Sequence, residues 1–193
     1  MDVIAPTTEL EAVNAMLEAI GETPVNSLSN SGVVDAVKAR SELRRKSRSV
    51  QQQGWHWNTL RSYKLYPSVS GEIILPSNTL RVDTVDNDFQ INVVQRGNKL
   101  FDNTKHTYIF TKELTVDLVI GLDWEELPEP ARLYIYTSAA RKFQQDTIGS
   151  SELSQFHMRD EMLAYADLQA AEAENADYNV LDGSYSVRRV LDR

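Results

Sequence analysis

The sequence has no cysteine, few glycines and no long apolar run. Without cysteine, its 193 residues cannot form disulfides, thiol nucleophiles or any zinc site that needs a Cys ligand. The eight glycines form neither a G-x-G-x-x-G nor a G-x-x-x-x-G-K-[ST] loop, so the common phosphate-cradling motifs are missing. No apolar run approaches the ~20 residues of a membrane span, and the first residues do not form a signal peptide. We therefore predict a protein without a membrane anchor.

Metal-binding and catalytic motifs are also scarce. The three histidines are far apart and lack a ligand spacing such as H-E-x-x-H, and no G-x-S-x-G elbow marks a serine nucleophile. We predict no metal and no cofactor. The best catalytic candidates are Asp123, Glu125 and Glu126 beside Trp124, since two carboxylates near an aromatic ring can hydrolyse a glycoside. Acids just before a helix also favour its dipole, and we predict this structural role, with a glycan hydrolase as the alternative.

Positive charge is concentrated in one short segment. The chain carries a net charge of -8, which makes it a poor candidate for gripping nucleic acid over its whole surface. Residues 38–48 nevertheless contain six cations and only one acid, Glu42. These cations are Lys38, Arg40, Arg44, Arg45, Lys46 and Arg48. Such a segment is either a solvated helix face or a patch that meets an acidic partner surface or phosphates.

Four segments have the apolar spacing of amphipathic helices. A capping box, Thr8 with Glu11, begins the first, and Pro128 and Pro130 fit the start of the third. The second runs from about 31–34 to Gln53 and has a thin apolar face. The positions that we assign to the four core faces are Leu10, Val13, Leu17 and Ile20; Val33, Val37, Leu43 and Val50; Leu133, Tyr136, Ala140 and Phe143; and Leu153, Phe156 and Leu163.

Between the second and third helices the pattern changes to a period of two. Residues 63–66, 72–75, 89–93, 99–101, 107–110 and 114–120 fit short strands, and Gly97-Asn98 fits a hairpin turn. Nothing helical separates these strands, so we predict antiparallel pairing. The predicted fold is α+β, a four-helix bundle with an inserted antiparallel β-domain. Residues 1–59 and 123–176 form the bundle, 60–122 the insert and 177–193 an extended C-terminal arm.

Two regions are candidates for contacts between layers or molecules. Trp55 and Trp57 alternate in a segment expected to be extended, so we expect both on one face, packing the β-domain on the bundle together with Trp124. The C-terminal arm has apolar residues without a helical stripe, which suggests docking in a groove of another molecule. Folding back on its own bundle is the alternative. Its candidate contact residues are Tyr178, Leu181, Tyr185, Val187, Arg188 and Arg189.

Several motifs in order resemble one viral family. They are Leu10-x-x-Val13-Asn14, Ile20-Gly21-Glu22-x-Pro24-Val25, Gln53-Gly54-Trp55-x-x-Asn58, Leu122-Asp123-Trp124-Glu125-Glu126-Leu127-Pro128-Glu129, Ala139-x-Arg141-x-Phe143 and Asp177-Tyr178-Asn179-x-Leu181-Asp182-Gly183. In this order they resemble the tail tubular protein A family of short-tailed bacteriophages (podoviruses). The strand region matches mainly by pattern, and the family tends to have Tyr in place of Trp124.

The resemblance implies a structural, non-enzymatic virion protein. It implies a head-to-tail adaptor, a ring of twelve subunits beneath the portal protein. A nozzle of tail tubular protein B docks below, tail fibres attach around the junction, and double-stranded DNA passes through the lumen without sequence-specific binding. The expected location is the virion tail, after assembly in the host cytoplasm.

Overall fold

The chain folds into four helices and antiparallel sheets, an α+β fold. The computed structural model describes residues 5–29, 32–85, 88 and 90–177. The helices are α1 (Glu9–Glu18), α2 (Val34–Gln51), α3 (Glu129–Thr147) and α4 (Ser151–Asp177). The strands are β1 (Thr59–Leu65), β2 (Thr79–Thr84), β3 (Val93–Arg96), β4 (Lys99–Asp102) and β5 (Leu114–Ile120). The described residues form two compact units: a β-unit, Arg48–Leu122, and a helical unit made of those before Arg48 and of residues 123–177.

The start of α1 follows directly from its sequence. The Thr8 hydroxyl accepts the Glu11 backbone N–H at 3.2 Å, and the Glu11 carboxylate accepts the Thr8 backbone N–H at 2.8 Å. This reciprocal pair confirms the predicted capping box, which satisfies two helix donors that would otherwise be unpaired. One side of α1 then buries Val13, Met16 and Leu17. Gly21 follows the helix with a φ of +79°, a conformation that glycine adopts without strain.

The predicted core face of α4 is wrong. α3 packs against α1 and α4, and α4 buries Ala164 and Leu168, whereas Leu153, Phe156 and Leu163 are exposed. The physical reason lies in a polar contact: the Glu161 carboxylate accepts hydrogen bonds from Ser138 and Arg141 of α3. This contact fixes the rotation of α4, because Glu161 must face α3 to be paired.

The predicted face of α2 is correct in only two of its four positions. Leu43 and Val50 are buried as expected, but Val33 and Val37 are exposed. Ala36 and Ala39 take the buried positions instead. Alanines at this spacing let a helix approach its neighbours closely, which the larger valines would prevent.

In the β-unit, β5 lies between β1 and β2 in an antiparallel three-stranded sheet. β3 and β4 form the predicted hairpin around Gly97, whose φ is +63°. An apolar cluster of this unit includes Ile73, Leu100, Leu114 and Leu118. The three-stranded sheet and the hairpin supply several of its residues, so the cluster lies between them.

Some predicted strands differ from the observed ones. β2 was not predicted, although it alternates. The predicted strands at 72–75 and 107–110 form only isolated bridges, Glu72 with Ile109 and Ile74 with Lys99. β3 begins at Val93, because Ile91 closes a turn onto the Asp88 carbonyl at 2.8 Å.

Candidate functional site

The acidic segment proposed as a catalytic alternative forms a capped turn. Residues Trp124–Glu126 make a 3₁₀ turn. The Asp123 backbone N–H donates to the Glu126 carboxylate at 3.1 Å, and the Glu126 N–H donates to the Asp123 carbonyl at 3.0 Å. Asp123, Glu125 and Glu126 are exposed, while Trp124 is buried. The Glu126 carboxylate therefore has a local structural partner.

Arg132 of α3 holds this turn from the inside. Its guanidinium donates to the carbonyls of Leu127 at 2.8 Å, Glu125 at 2.7 Å and Thr7 at 2.9 Å. Arg132 is only 7% exposed. Three carbonyls therefore compensate for the cost of burying this cation.

The same residues fix the segment that leads into α1. The Trp124 indole N–H donates to the Thr7 carbonyl at 2.9 Å. The Thr7 backbone N–H donates to the Glu129 carboxylate at 2.9 Å, and its hydroxyl bonds the other oxygen of that carboxylate. The segment before α1 and the segment before α3 are thus tied together. The role of Arg132 was not predicted, because an arginine within a helical pattern is ordinarily expected to be exposed.

The basic helix α2 is bound to α1 through ion pairs. Arg40 contacts both oxygens of the Glu9 carboxylate, at 3.0 and 2.7 Å, and Arg44 contacts it at 3.1 Å. The hydrogen bond from Arg40, supported by the charges of both arginines, outweighs the effect of burial and holds the pKa of Glu9 below its ordinary value. Two of the six cations of the basic segment therefore serve the packing of the helical unit.

Lys46 faces the other helices of the unit. Its ammonium lies 5.4 Å from the ring centre of Tyr134 and 3.9 Å from the Glu161 carboxylate. Burial alone would raise the pKa of Glu161. Hydrogen bonds from Ser138 and Arg141, together with the positive charges of Arg141 and Lys46, outweigh this effect and lower the pKa. A charged cluster thus joins α2, α3 and α4.

The remaining cations of the helical unit's basic segment face solvent. Lys38 pairs with Asp35 at 3.2 Å and Arg45 with Glu42 at 2.5 Å, both along α2 itself. Such exposed pairs contribute little to stability, so these cations remain available to a partner. Arg48 is exposed and belongs to the β-unit.

A groove lies between α1, α3 and α4. It has a volume of about 370 Å³, with Ala15, Ala19 and Ala140 among its lining residues and Asp160 and Asp167 also along it. Leu163 borders it and continues onto the exposed side of α4. The groove therefore lies beside exposed apolar residues of α4.

The two neighbouring tryptophans lie in the β-unit. Trp55 is buried, its indole N–H donates to the Val50 carbonyl at 2.8 Å, and its ring stacks on Trp57 with centroids 6.4 Å apart. The segment is not extended as predicted, because His56–Asn58 form a 3₁₀ turn. A role of Trp55, Trp57 and Trp124 in joining layers stays a prediction.

Two amide side chains that the sequence did not single out fix this end of α2. Asn58 donates to the carbonyls of Gln51 and Ile120, at 2.8 and 2.9 Å. Gln51 accepts the Leu122 N–H at 2.7 Å and donates to the Leu122 carbonyl at 3.1 Å. Both amides are buried, so the end of α2 is held at the exit of β5 inside the β-unit.

Other predicted features are placed as follows. The candidate contact residues of the C-terminal arm lie outside the described residues; they are Tyr178, Leu181, Tyr185, Val187, Arg188 and Arg189. Within residues 5–29, 32–85, 88 and 90–177, no cluster of His, Asp and Glu could hold a metal ion. In the same described part of the chain, no helix is long and apolar enough to cross a membrane.

Comparison with known proteins connects these features to a family. The sequence model of a family described as "Tail tubular protein" matches residues 10–178. The chain is also 33% identical over 133 residues to Tail tubular protein A of Klebsiella phage KP34, covering 68% of this chain and 69% of that protein. These matches indicate a structural protein of a bacteriophage virion tail, which assembles with other tail components. The chain belongs to the tail tubular protein family.

Proposed function

We propose that this protein is the head-to-tail adaptor of a short-tailed phage. Twelve copies form a ring that joins the portal protein to a nozzle of tail tubular protein B and offers attachment sites to tail fibres. The observation that carries this proposal is the family match together with large apolar side chains left exposed on the helical unit, Phe156 above all at 71%. Such side chains are typical of surfaces that another molecule covers.

The charge of the chain fits the proposed passage of double-stranded DNA. Protein surfaces hold DNA by neutralising phosphates with Lys and Arg. A chain with a net charge of -8 is suited to a channel wall along which DNA slides without binding. Of the basic residues, Arg40 and Arg44 are paired with Glu9 of the same chain, which leaves fewer cations of this helix for DNA phosphates.

We assign the proposed contacts to the predicted regions of the chain. The helical segments 1–59 and 123–176 supply the ring contacts, with Lys38, Arg44 and Arg48 near a subunit or portal boundary. The inserted β-domain, 60–122, is the part available to other tail components. The arm, 177–193, docks on the portal or on the neighbouring subunit after assembly in the host cytoplasm.

Imaging of assembled particles tests the ring directly. The protein is purified alone and after mixing with its portal protein, and both samples are imaged by negative-stain electron microscopy. We expect ring-shaped particles with twelve-fold symmetry, at least in the presence of the portal. Only monomers in both samples would contradict the adaptor role.

Two variants test the assigned regions. Deletion of residues 178–193 should leave the melting temperature unchanged but abolish attachment to the portal; a collapse of the melting temperature would place the arm in the subunit's own core. Replacing Lys38, Arg44 and Arg48 together by Glu should impair assembly while the circular-dichroism spectrum stays intact, because Arg40 still contacts both oxygens of Glu9 when Arg44 is lost. Normal assembly by that triple variant would refute the role of the patch.

A further inference from the structure

We propose that neighbouring subunits contact each other head to tail, with α2 of one copy lying along α4 of the next. This inference rests on the proposed ring and names the surfaces that build it. The two faces are different surfaces of the same helical unit. A contact between two different patches repeats around a closing rotation and so produces rings.

The exposed face of α4 that borders the groove combines large apolar and acidic residues. Four residues of this face are spaced at steps of four, three and four, so they lie on one side of the helix. They are Phe156, Asp160, Leu163 and Asp167. All four are exposed, with Phe156 at 71% and Leu163 at 58%. Among the described residues, no ion pair joins Asp160 or Asp167 to a cation of the same chain. This face therefore offers apolar area and unpaired negative charge.

The outer face of α2 has the complementary composition. Four exposed residues of α2 have the same spacing of four, three and four residues. They are Val34, Lys38, Ser41 and Arg45. Val34 is 64% exposed and the neighbouring Val37 is 59% exposed. The two cations pair only with acids of their own helix, and such exposed pairs are weak. This face therefore offers apolar area and positive charge.

The two faces match position by position when the helices run parallel. Val34 then lies opposite Phe156, Lys38 opposite Asp160, Ser41 opposite Leu163 and Arg45 opposite Asp167. Each row extends about 16 Å at the helical rise per residue. Complementary charge at two points fixes the register, because Lys38 and Arg45 have the same spacing as Asp160 and Asp167. The reversed orientation also pairs both charges, Lys38 with Asp167 and Arg45 with Asp160, but it separates Val34 from Phe156, so the apolar pair favours the parallel arrangement.

Neither face is covered by the core of its own copy. The opposite side of α2 buries Ala36, Ala39 and Leu43. On α4 the buried Ala164 and Leu168 lie on the adjacent side, and the face itself borders the groove between α1, α3 and α4 while its four residues stay exposed. A second copy is the occupant whose surface has the required charge and apolar residues.

Engineered cysteines test this contact cleanly, because the natural chain has none. A Val34→Cys variant and a Phe156→Cys variant are assembled with portal, mixed in equal amounts, and treated with a short bis-maleimide. We expect covalent dimers in the mixture, none in either variant assembled alone, and a ladder of higher oligomers from the double variant. A mixture of Val69→Cys, exposed in the β-unit, with Phe156→Cys is the matched control and should give no dimer.

Charge reversal provides an independent test. Arg45→Glu and Asp167→Arg should each reduce the yield of rings by about tenfold or more, and the two changes combined in one chain should restore it. Lys142→Glu, an exposed change on α3, controls for net charge and should assemble normally. One outcome would overturn the contact but not the proposed function: wild type forms rings, the single charge variants assemble normally, and no cross-linked dimer appears. An absence of rings from wild type with portal would overturn the proposed function and the contact with it.

Discussion

Replacing Arg132 by Met should destabilise the helical unit more than any other single charge removal on α3. Arg132 donates to the carbonyls of Leu127, Glu125 and Thr7 at 2.7 to 2.9 Å and is 7% exposed. Methionine has a similar length but no donor, so all three hydrogen bonds disappear while most of the packing remains. The change therefore isolates the polar contribution of the guanidinium.

The expected magnitude follows from the partners that lose their donor. A hydrogen bond from a charged group contributes ~1.5–3 kcal/mol, and a buried acceptor left unpaired costs ~1–3 kcal/mol. The Thr7 carbonyl keeps a side-chain donor, the Trp124 indole N–H. Among the described residues, no other side chain donates to the Leu127 or Glu125 carbonyl, so both lose their side-chain donor. Removing the buried cation regains part of its desolvation. We expect a net loss of ~3–5 kcal/mol in the free energy of unfolding.

Urea unfolding followed by far-UV circular dichroism measures this loss, because α1, α3 and α4 all belong to the helical unit. Lys142→Met is the matched control: it removes the same charge from the same helix, and its exposed pair with Asp146 should contribute only ~0–1 kcal/mol. Arg132→Lys should recover little, because an ammonium cannot reach three divergent carbonyls. A loss in Arg132→Met no larger than in Lys142→Met would refute the reasoning.

Three further predictions concern stability and activity. Trp55→Ala should cost ~3–5 kcal/mol and lower the melting temperature of the β-unit markedly, and an unchanged melt would contradict its burial. The pKa of Glu9 is lowered by Arg40, so this pair stabilises the fold above about pH 4.5 and the contribution is lost as the pH falls below that; Glu9→Gln should reduce the acid sensitivity of the melting temperature. Glu126→Ala should cost ~0.5–2 kcal/mol, Glu125→Ala less, and wild type should release no sugar from host glycan.

Helices were predictable here because their signals are local. The Thr8 and Glu11 capping box and the proline at the start of α3 depend on neighbouring residues alone, and both appear in the structure. The β3–β4 hairpin was predictable for the same reason, from Gly97 and Asn98. Domain bounds at 59 and 122 stay a prediction; the observed β-unit starts at Arg48, inside α2.

The rotation of the helices was not predictable, because it depends on residues far apart in the sequence. Glu161 turns α4 toward Ser138 and Arg141, and Glu9 turns α2 through Arg40. Pattern reasoning assigns the largest apolar residues to the core and treats such charged residues as exposed. The clamp of Arg132 on three backbone carbonyls was missed for the same reason, since its acceptors carry no sequence signal.

The exposed face of α4 shows how assembly changes the meaning of an apolar stripe. In a monomer, an apolar stripe on a helix is expected to face the core of the same chain. By that rule Phe156 and Leu163 should be buried. Instead α4 buries Ala164 and Leu168, whereas Phe156 and Leu163 remain exposed. Burying those side chains gains ~25 cal/mol per Å² only when another molecule covers them. We propose that the neighbouring copy covers Phe156 and Leu163 in this way, while Ala164 and Leu168 form the side of α4 that its own unit buries.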